Sequence, residues 1–464
     1  AVCMAVGTAF CLVLGACSGR SGGEDGRTEI LRWKDGKKAA ISITWDDGSI
    51  NQFRVGVPLL EKYGFRGTFF INTGHIPGSE HQARFIGRPV EEIIRETENI
   101  PTGLENLFER GSAVGFLGYE GMMAYHSRAG SAVDAGNIQR ACDIIDEAYA
   151  LVRSGEVKRS DEVEFPNDDY MGDELITWEE IREIASRGHE FGNHTISHPR
   201  LAILDEPNLL WELEMCREDI LHNLGPAHTF SCECPYGTED ERVMEYAFDI
   251  HPALRNRMPE PYLAELNRAS DTPPGTAEKE YVQWQRGPLS DTPLERMKSW
   301  VDTCLAHDHL WLVLVFHGVE GVGWEPVPEE TLDSYFRYMD SSGDRLWVGT
   351  FREVTKYMRE RMSSQVSATR EGDELHIELT HRIDPELYDM PLTLRTLLPE
   401  DWERVNVSQG EETLHHTVEK EGSATYITYN AAPNRERIVV RAPRLPSISP
   451  VRGRGPGTHP DSSP

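Results

Sequence analysis

The chain has 464 residues and a formal net charge of −30 at neutral pH. That length exceeds one ordinary domain, so two are expected. So acidic a surface excludes nucleic acid as a partner and argues against a polyanionic polymer such as teichoic acid, while it admits a neutral or cationic polysaccharide.

In chain order, Ala1 to Ala16 is apolar and ends in Leu14-Gly15-Ala16-Cys17. The stretch is too short to span a bilayer and reads as the apolar region of a signal peptide, residues 1–17, before a small-residue cleavage site. Its end resembles a bacterial lipobox, with Cys17 the lipidated residue. The expectation is export, as a lipoprotein facing periplasm or cell surface and touching the membrane only through its lipid. Residues 18–28 read as a Gly/Ser-rich tether.

The apolar run through Ala40, Ile41 and Ile43 predicts a buried strand that runs into Asp46, Asp47 and the turn residue Gly48. Phe53 to Tyr63 predicts a helix and Gly67 to Ile71 the next strand, a parallel β-α-β unit ending at His75. Residues 78–176 break the alternation, with one helical candidate from Asn137 to Gly155, and are expected to be an insertion covering a cleft. Order resumes at Thr177 with a helix, Trp178 to Ser186, and a short strand, His189 to Gly192, that delivers His194 and His198. Asp205 to Leu224 shows Leu209, Leu213, Cys216, Ile220 and Leu224 on one helical face. A strand from His228 to Cys232 leads to the turn Pro235-Tyr236-Gly237, and Thr292 with Glu295 suggests a capping box opening a helix to Ala306. The apolar run Leu310–Phe316 predicts a fully buried strand ending at His317; a helix from Glu330 to Met339, a strand from Leu346 to Val348 and a helix to Met362 follow.

From Ser363 the period changes to two, at Leu375, Ile377, Leu379 and again at Leu392 and Leu394, which predicts a small antiparallel sandwich over 363–445. Residues 446–464 read as a disordered Pro/Gly/Ser-rich tail. Of the eight cysteines, Cys142, Cys216, Cys232, Cys234 and Cys304 lie beyond the leader, an odd number that leaves at least one thiol unpaired.

Two adjacent carboxylates at the end of a buried strand are costly unless something cationic faces them. Ends of parallel strands are where α/β sites are built, so Asp46 and Asp47 predict a metal or a basic group. His194 and His198, four apart, would share one face of a helical turn, and imidazoles with a carboxylate make a zinc ligand set with one position left for water.

These pieces resemble the polysaccharide deacetylases (carbohydrate esterase family 4, the NodB-type domain) over residues 29 to 361. The motifs are Thr44-Trp45-Asp46-Asp47-Gly48, His194-Thr195-Ile196-Ser197-His198, Val315-Phe316-His317, half of a third motif at Glu233-Cys234-Pro235-Tyr236, and a loose fourth at Glu280-Tyr281-Val282-Gln283-Trp284. The resemblance implies a distorted (β/α)7 barrel over 29–362, an α/β fold carrying the sandwich at its C-terminus. It implies a divalent metal, zinc first, on Asp47, His194 and His198, with Asp46 as general base, His317 as the acid for the leaving group and the Tyr236 backbone N–H at the oxyanion. Trp45, His75 and Trp284 would contact substrate. The implied activity is metal-dependent removal of acetyl groups from a polysaccharide or oligosaccharide, N-deacetylation of N-acetylglucosamine-type sugars foremost. O-acetyl ester hydrolysis on plant or algal polysaccharide, and glycan binding without turnover, are the alternatives. Glu233 departs from the family, whose Arg at that place pairs with the catalytic Asp. The expectation is that Glu233 turns away and that an Arg from the 250–290 region reaches Asp46: Arg286 first, with Arg255 and Arg268 as rivals.

Overall fold

A computed structural model describes residues 26–160, 164–237, 240–257, 265–267, 282–402 and 404–442. The leader with Cys17, the tether up to residue 25, Arg268 and the tail 446–464 lie outside the described residues.

The strands are β1 (Thr28–Ile30), β2 (Ala39–Trp45), β3 (Gly67–Ile71), β4 (Glu190–Asn193), β5 (Ser231–Cys232), β6 (Ala253–Leu254), β7 (Glu265–Asn267), β8 (Val282–Arg286), β9 (Leu310–Phe316) and β10 (Leu346–Val348). All but β1 form one parallel sheet of nine strands, ordered β6-β5-β4-β3-β2-β9-β8-β7, with β10 beside β2. This is the expected distorted barrel: a curled half-barrel of seven strands, extended at its two edges by the short β6 and β7. The central β2 shares one side between β10, against Ala39–Ile41, and β3, against Ile43–Trp45; its other side is lined by β9.

Both faces of β2 and β9 are covered, which is why their sequences are continuously apolar rather than alternating. Ile41, Ile43 and Trp45 join Leu312, Leu314 and Phe316 under the helices Trp178–Ser186, Leu294–Ala306 and Glu329–Asp340. Ala40, Trp311 and Val313 face the other way, onto Phe351, Val354 and Met358 of the helix Phe351–Ser363. That second core runs on without a break into the sandwich, through Leu375, Ile377, Leu392, Leu394, Ile427 and Val440.

The sandwich has two antiparallel sheets. One is ordered β1-β13-β17-β16, with β13 (Leu392–Leu397), β16 (His416–Glu421) and β17 (Ala424–Ala431). The other is ordered β11 (Ser364–Glu371), β12 (Glu374–His381), β18 (Ile438–Arg441), β14 (Asn406–Gln409) and β15 (Glu412–Thr413). β1 therefore belongs to the sandwich, pairing Thr28 with Thr396, and not to the tether or the barrel.

The insertion folds as helices Val90–Glu96, Leu107–Val114, Met122–Asp134 and Ile138–Ser154 around a core of their own that includes Ile93, Leu107, Ile145 and Tyr149. The last of them has Asn137 and Gly155 as its caps. Two local expectations change. Thr292 does not cap the helix Leu294–Ala306; its hydroxyl accepts from Leu289 N–H instead, and capping boxes form at Thr177/Glu180 and Thr350/Glu353. The segment between His194 and His198 is a loop, not a helical turn.

Candidate active site

Parallel register places the chemistry. Trp45 pairs with Phe316, so Asp46 and His317 leave adjacent strands side by side. Ile71 pairs with Asn193, Asn193 with Cys232 and Cys232 with Leu254, so His194, Glu233 and Arg255 follow one another along the same carboxyl edge. Asp47 then turns at φ 74°, a left-handed conformation that separates the two carboxylates. Thr195, His198 and Tyr236 also have φ between 59° and 71°. Four non-glycine residues held in this region around one cleft mark a site whose geometry the surrounding fold over-determines.

Asp47 Oδ1 lies 3.1 Å from His198 Nε2 and 3.6 Å from His194 Nε2. The three ligand atoms lie within 4.8 Å of one another, and all three residues are buried. They form a candidate metal site, and the residues fit the role. His194 Nδ1–H donates to the Glu233 carbonyl at 2.7 Å, which leaves Nε2 bare toward Asp47. Asp47 Oδ1 and His198 Nδ1 are buried with no hydrogen-bond partner among the described residues. Burial pushes the Asp47 carboxyl up, but the close approach of the His194 and His198 imidazoles overrides it and holds it well below the usual range. A ligand must be deprotonated in this way.

Asp46 points elsewhere. Arg255 grips it bidentately, Nη1 to Oδ1 at 2.7 Å and Nη2 to Oδ2 at 2.6 Å, and His317 Nε2 lies 3.5 Å from Oδ2. Burial raises its carboxyl, but Arg255, with His194 and His317 behind it, brings the net below the ordinary value. Arg255 also reaches Glu233 Oε1 at 2.9 Å, and Asn256 donates to the same oxygen. Glu233 therefore does not turn away: it shares the guanidinium that neutralises Asp46. Arg255, not Arg286, is the supporting cation; Arg286 lies 4.9 Å from the Trp284 ring.

The loop that carries the two histidines is held from behind. Glu212, fully inside on the helix Glu206–Leu224, accepts from Ile196 N–H and Ser197 N–H at 2.9 Å and from the Ser197 hydroxyl at 2.7 Å. Gly74 N–H donates to the Ile196 carbonyl at 3.0 Å, and a Cβ at Gly74 would stand 2.6 Å from that oxygen, so no larger residue allows the approach. Gln52 donates to the carbonyls of both Asp46 and His317 and ties the two strand ends together. Glu212, Gly74 and Gln52 escaped the sequence reading; nothing in their local pattern marks them, since their partners lie on other elements.

Glu212 yields a prediction. Glu212→Ala strips three donors of their acceptor inside the protein and is expected to cost about 2–5 kcal/mol of stability and 10–100-fold in metal affinity. Glu212→Gln keeps the shape and an acceptor for the backbone donors and should stay within about threefold. Thermal unfolding and metal titration of both variants check this; equal losses in the two would show that the charge, not the hydrogen bonds, matters.

Three expected substrate contacts do not reach the cleft. Trp45 is fully buried, stacked on Phe316 with ring centres 4.7 Å apart. Trp284, 1% exposed, lies in the same core; along β8 it is Gln285, on the opposite pleat, that lines the cleft. His75 is buried behind the Asp47 loop, where Nε2 pairs with Asn167 at 2.9 Å. Tyr236 does reach the site, its ring 4.6 Å from His198 and 44% exposed at the rim. The insertion contributes Ser127, Asn167 and Tyr170 to the walls of the cleft, whose volume is about 660 Å³. Cys142, Cys216, Cys232, Cys234 and Cys304 are all buried.

The sequence matches the polysaccharide deacetylase family over residues 34–120 and 136–272. It is similar to a gellan lyase from a Bacillus species, 21% identical over 285 residues that cover 59% of this chain and 11% of the relative, so the chain spans about a tenth of that protein's length. Among solved structures, a peptidoglycan N-acetylglucosamine deacetylase is 14% identical, covering 68% of this chain and 88% of its own, with a TM-score of 0.33. A family 4 carbohydrate esterase from Bacillus anthracis is 13% identical, with coverage of 71% and 86% and a TM-score of 0.32. The carbohydrate esterase domain of a multidomain xylanase from the hindgut metagenome of Trinervitermes trinervoides is 11% identical, with 68% and 90% covered and a TM-score of 0.31. With its Asp-Asp motif at the carboxyl end of β2 and its His-x-x-x-His motif at that of β4, the chain carries a domain of the polysaccharide deacetylase family over residues 34–120 and 136–272.

Proposed function

We propose that this protein removes acetyl groups from a polysaccharide or oligosaccharide, with an N-acetylated sugar as the first substrate class and a divalent metal, zinc before others, as its cofactor. The observation that carries the reading is the division of labour at one cleft: Asp47 with the histidine pair, and Asp46 with Arg255 and His317, within a single pair of adjacent residues.

Asp47, His194 and His198 would hold the metal, which when bound supplies a Lewis acid that acidifies water and polarises an acetyl carbonyl. Asp46, kept ionised by Arg255, accepts the proton from the attacking water as general base. The Tyr236 backbone N–H at the rim donates to the oxyanion as charge builds on the acetyl oxygen. His317, whose ring is 23% exposed beside Asp46, delivers a proton to the leaving group. That proton matters more for an amide than for an ester, because an amide anion is a very poor leaving group. The acid–base pair therefore favours N-deacetylation over O-acetyl ester hydrolysis. Glu233, in the place of the family's Arg, and the loose fourth motif are the features that favour glycan binding without turnover; Arg255 supplies the first of these missing groups.

Acetate release is the test: a chromogenic acetyl ester, N-acetylglucosamine oligomers and acetylated xylan, each with and without a chelator. The expected result is turnover abolished by chelator and restored by zinc; turnover indifferent to chelator, or none on any substrate with metal present, would refute the reading. Export as a lipoprotein through Cys17 belongs to the same proposal and is tested by labelling with a lipid precursor in a bacterial host.

A further inference from the structure

The charge of this chain is unevenly placed. Against a net of −30 overall, residues 27–38 carry Arg27, Arg32, Lys34, Lys37 and Lys38, opposed by Glu29 and Asp35 alone. The fold gathers these cations at an open cavity of about 560 Å³. Its walls include Arg32, Lys37, Lys38, His307 and His309, with Asp308 the acidic residue among them. Arg345 adds to the same face: it is exposed, and its carbonyl accepts from Lys38 N–H at 2.8 Å. Asp344 offsets one charge, 3.2 Å from Lys37.

Bonds between elements hold the walls. Trp33, 1% exposed, donates its indole N–H to the Asp308 carbonyl at 2.6 Å, which joins the loop after β1 to the loop before β9. Tyr357, on the last barrel helix, donates to the Leu31 carbonyl at 2.9 Å. On the sandwich side, Asp35 N–H donates to the Thr393 hydroxyl at 2.7 Å, and Asn430 donates to the Asp35 carboxylate at 2.6 Å. Barrel and sandwich together fix the backbone that presents the cations, so little order has to be created when an anion arrives.

The place of the cavity in the fold is a second observation. Lys38 immediately precedes β2 and Asp46 follows it; His309 precedes β9 and His317 follows it. The basic face therefore lies at the amino ends of the strands whose carboxyl ends carry the cleft. Seven-residue strands keep the two about 20 Å apart. Leu31, in the cavity wall, stands fourteen residues after Cys17, at most about 50 Å of extended chain. A tether of that length brings the protein to a bilayer without choosing which face meets it.

Charge makes the choice. Anionic headgroups attract Lys and Arg and repel an acidic surface, and the effect falls off within about 8 Å at physiological salt. A lipid phosphate entering the cavity meets cations and N–H donors at once, the strong form of hydrogen bond. No helix among the described residues is long and apolar enough to cross a membrane, and this contact needs none, because it lies at the headgroups. Resting on the reading that Cys17 carries a lipid, we infer that the basic face docks on an anionic bilayer, with an acidic phospholipid headgroup in the cavity and the catalytic cleft held away from the membrane. The lipid supplies attachment and the cations supply orientation.

The test uses the chain from Cys17 onward with Cys17→Ser, so that no lipid is attached, and vesicles of phosphatidylglycerol with phosphatidylcholine or of phosphatidylcholine alone. At low salt, binding to the anionic vesicles should be at least about tenfold tighter than to the neutral ones, and raising the salt tenfold should remove that preference. Each Lys or Arg at such a surface contributes on the order of fivefold in affinity, so Lys37→Glu with Lys38→Glu should lose at least about tenfold, with turnover of a small acetyl ester unchanged. Lys158→Glu with Lys420→Glu makes the same change in net charge at exposed positions on the insertion and the sandwich, and should stay within about threefold. Equal losses from the two pairs, or no preference for anionic vesicles, would overturn the docking face. Orientation is read with a fluorophore at Ser341→Cys, beside the basic face, or at Leu289→Cys, beyond the carboxyl end of β8; the other cysteines are buried and escape the label. A nitroxide on the lipid headgroup should quench the first and spare the second, and equal quenching would refute the orientation. Calorimetry with inorganic phosphate and with glycerol phosphate separates the sources of the anion. Micromolar binding of either, without preference for anionic vesicles, would make the cavity a site for a soluble anion and overturn the bilayer reading. Lipid labelling at Cys17 is read separately: its failure removes the anchor, and vesicle binding still decides the face.

Discussion

Arg255→Met is expected to lower kcat by about 10²–10⁴, the range for loss of a competent general base, while leaving metal binding within a few-fold. The guanidinium is enclosed and neutralises two carboxylates at once, Asp46 and Glu233. Removing it leaves both buried without their cation, a change that costs about 3–5 kcal/mol when a buried pair is broken. The sign of the pH effect follows from the forces on Asp46. Burial alone raises its carboxyl, and Arg255 is the foremost of the charges that pull it down. Asp46 must be ionised to accept a proton, so activity falls as pH drops through its pKa. Without Arg255 that pKa rises, and the acidic limb of the kcat profile moves to higher pH. The family's arrangement suggests a rescue. In the Arg255→Met background, Glu233→Arg removes one stranded carboxylate and returns a cation from the neighbouring strand, and at least a tenfold recovery of kcat is expected. A pH–rate series for wild type and the two variants is the measurement. An unshifted acidic limb in Arg255→Met, or a double variant no better than the single, would show that Arg255 only holds the fold together.

The relocation of that cation shows where a sequence is legible and where it is not. The strands β2 and β9 were readable because both of their faces are covered, which writes an unbroken apolar run into the chain. The metal-site trio was readable because its residue types are rare together at strand ends. Arg255 was only one rival among three: its link to Glu233 depends on Cys232 pairing with Leu254 across two-residue strands too short to leave a pattern. The two misread tryptophans fail for a different reason. Trp45 continues the face of Ile41 and Ile43, so period two already sends it into the core while Asp46 takes the other side. Trp284 stands in the same relation to Gln285. Motif resemblance attracted both to the substrate where the pleat alone would have excluded them. The histidine loop defeated local reasoning too. Four residues apart suits a helical turn, but here the convergence comes from positive φ at Thr195 and His198, with Glu212 bracing the backbone between. None of that is visible in the spacing.

The sharpest consequence of the left-handed turn at Asp47 is that two adjacent carboxylates should fail in different ways. Asp47 faces His194 and His198; Asp46 faces Arg255 and His317. Asp47→Asn keeps an oxygen at the site but removes the charge that makes it a ligand. Second-layer partners alone are worth 10–100-fold in metal affinity, so loss of a ligand charge should raise the metal dissociation constant by on the order of 10²-fold or more. Activity should then return, in part, as zinc is raised. Asp46→Asn can still accept one hydrogen bond from Arg255, which favours folding, but an amide cannot take a proton at neutral pH. Its kcat should fall by about 10²–10⁴ with metal affinity within about threefold of wild type, and no zinc concentration should restore it. Competition titration against a chromogenic chelator gives the affinities, and acetate release over a zinc series gives the rates. Equal loss of metal affinity in the two variants would mean that both carboxylates ligate and that the base lies elsewhere. His317, 3.5 Å from Asp46, would then be the group to examine, and His317→Ala, expected under the present assignment to hurt an acetamide far more than an acetyl ester, would instead depress both alike.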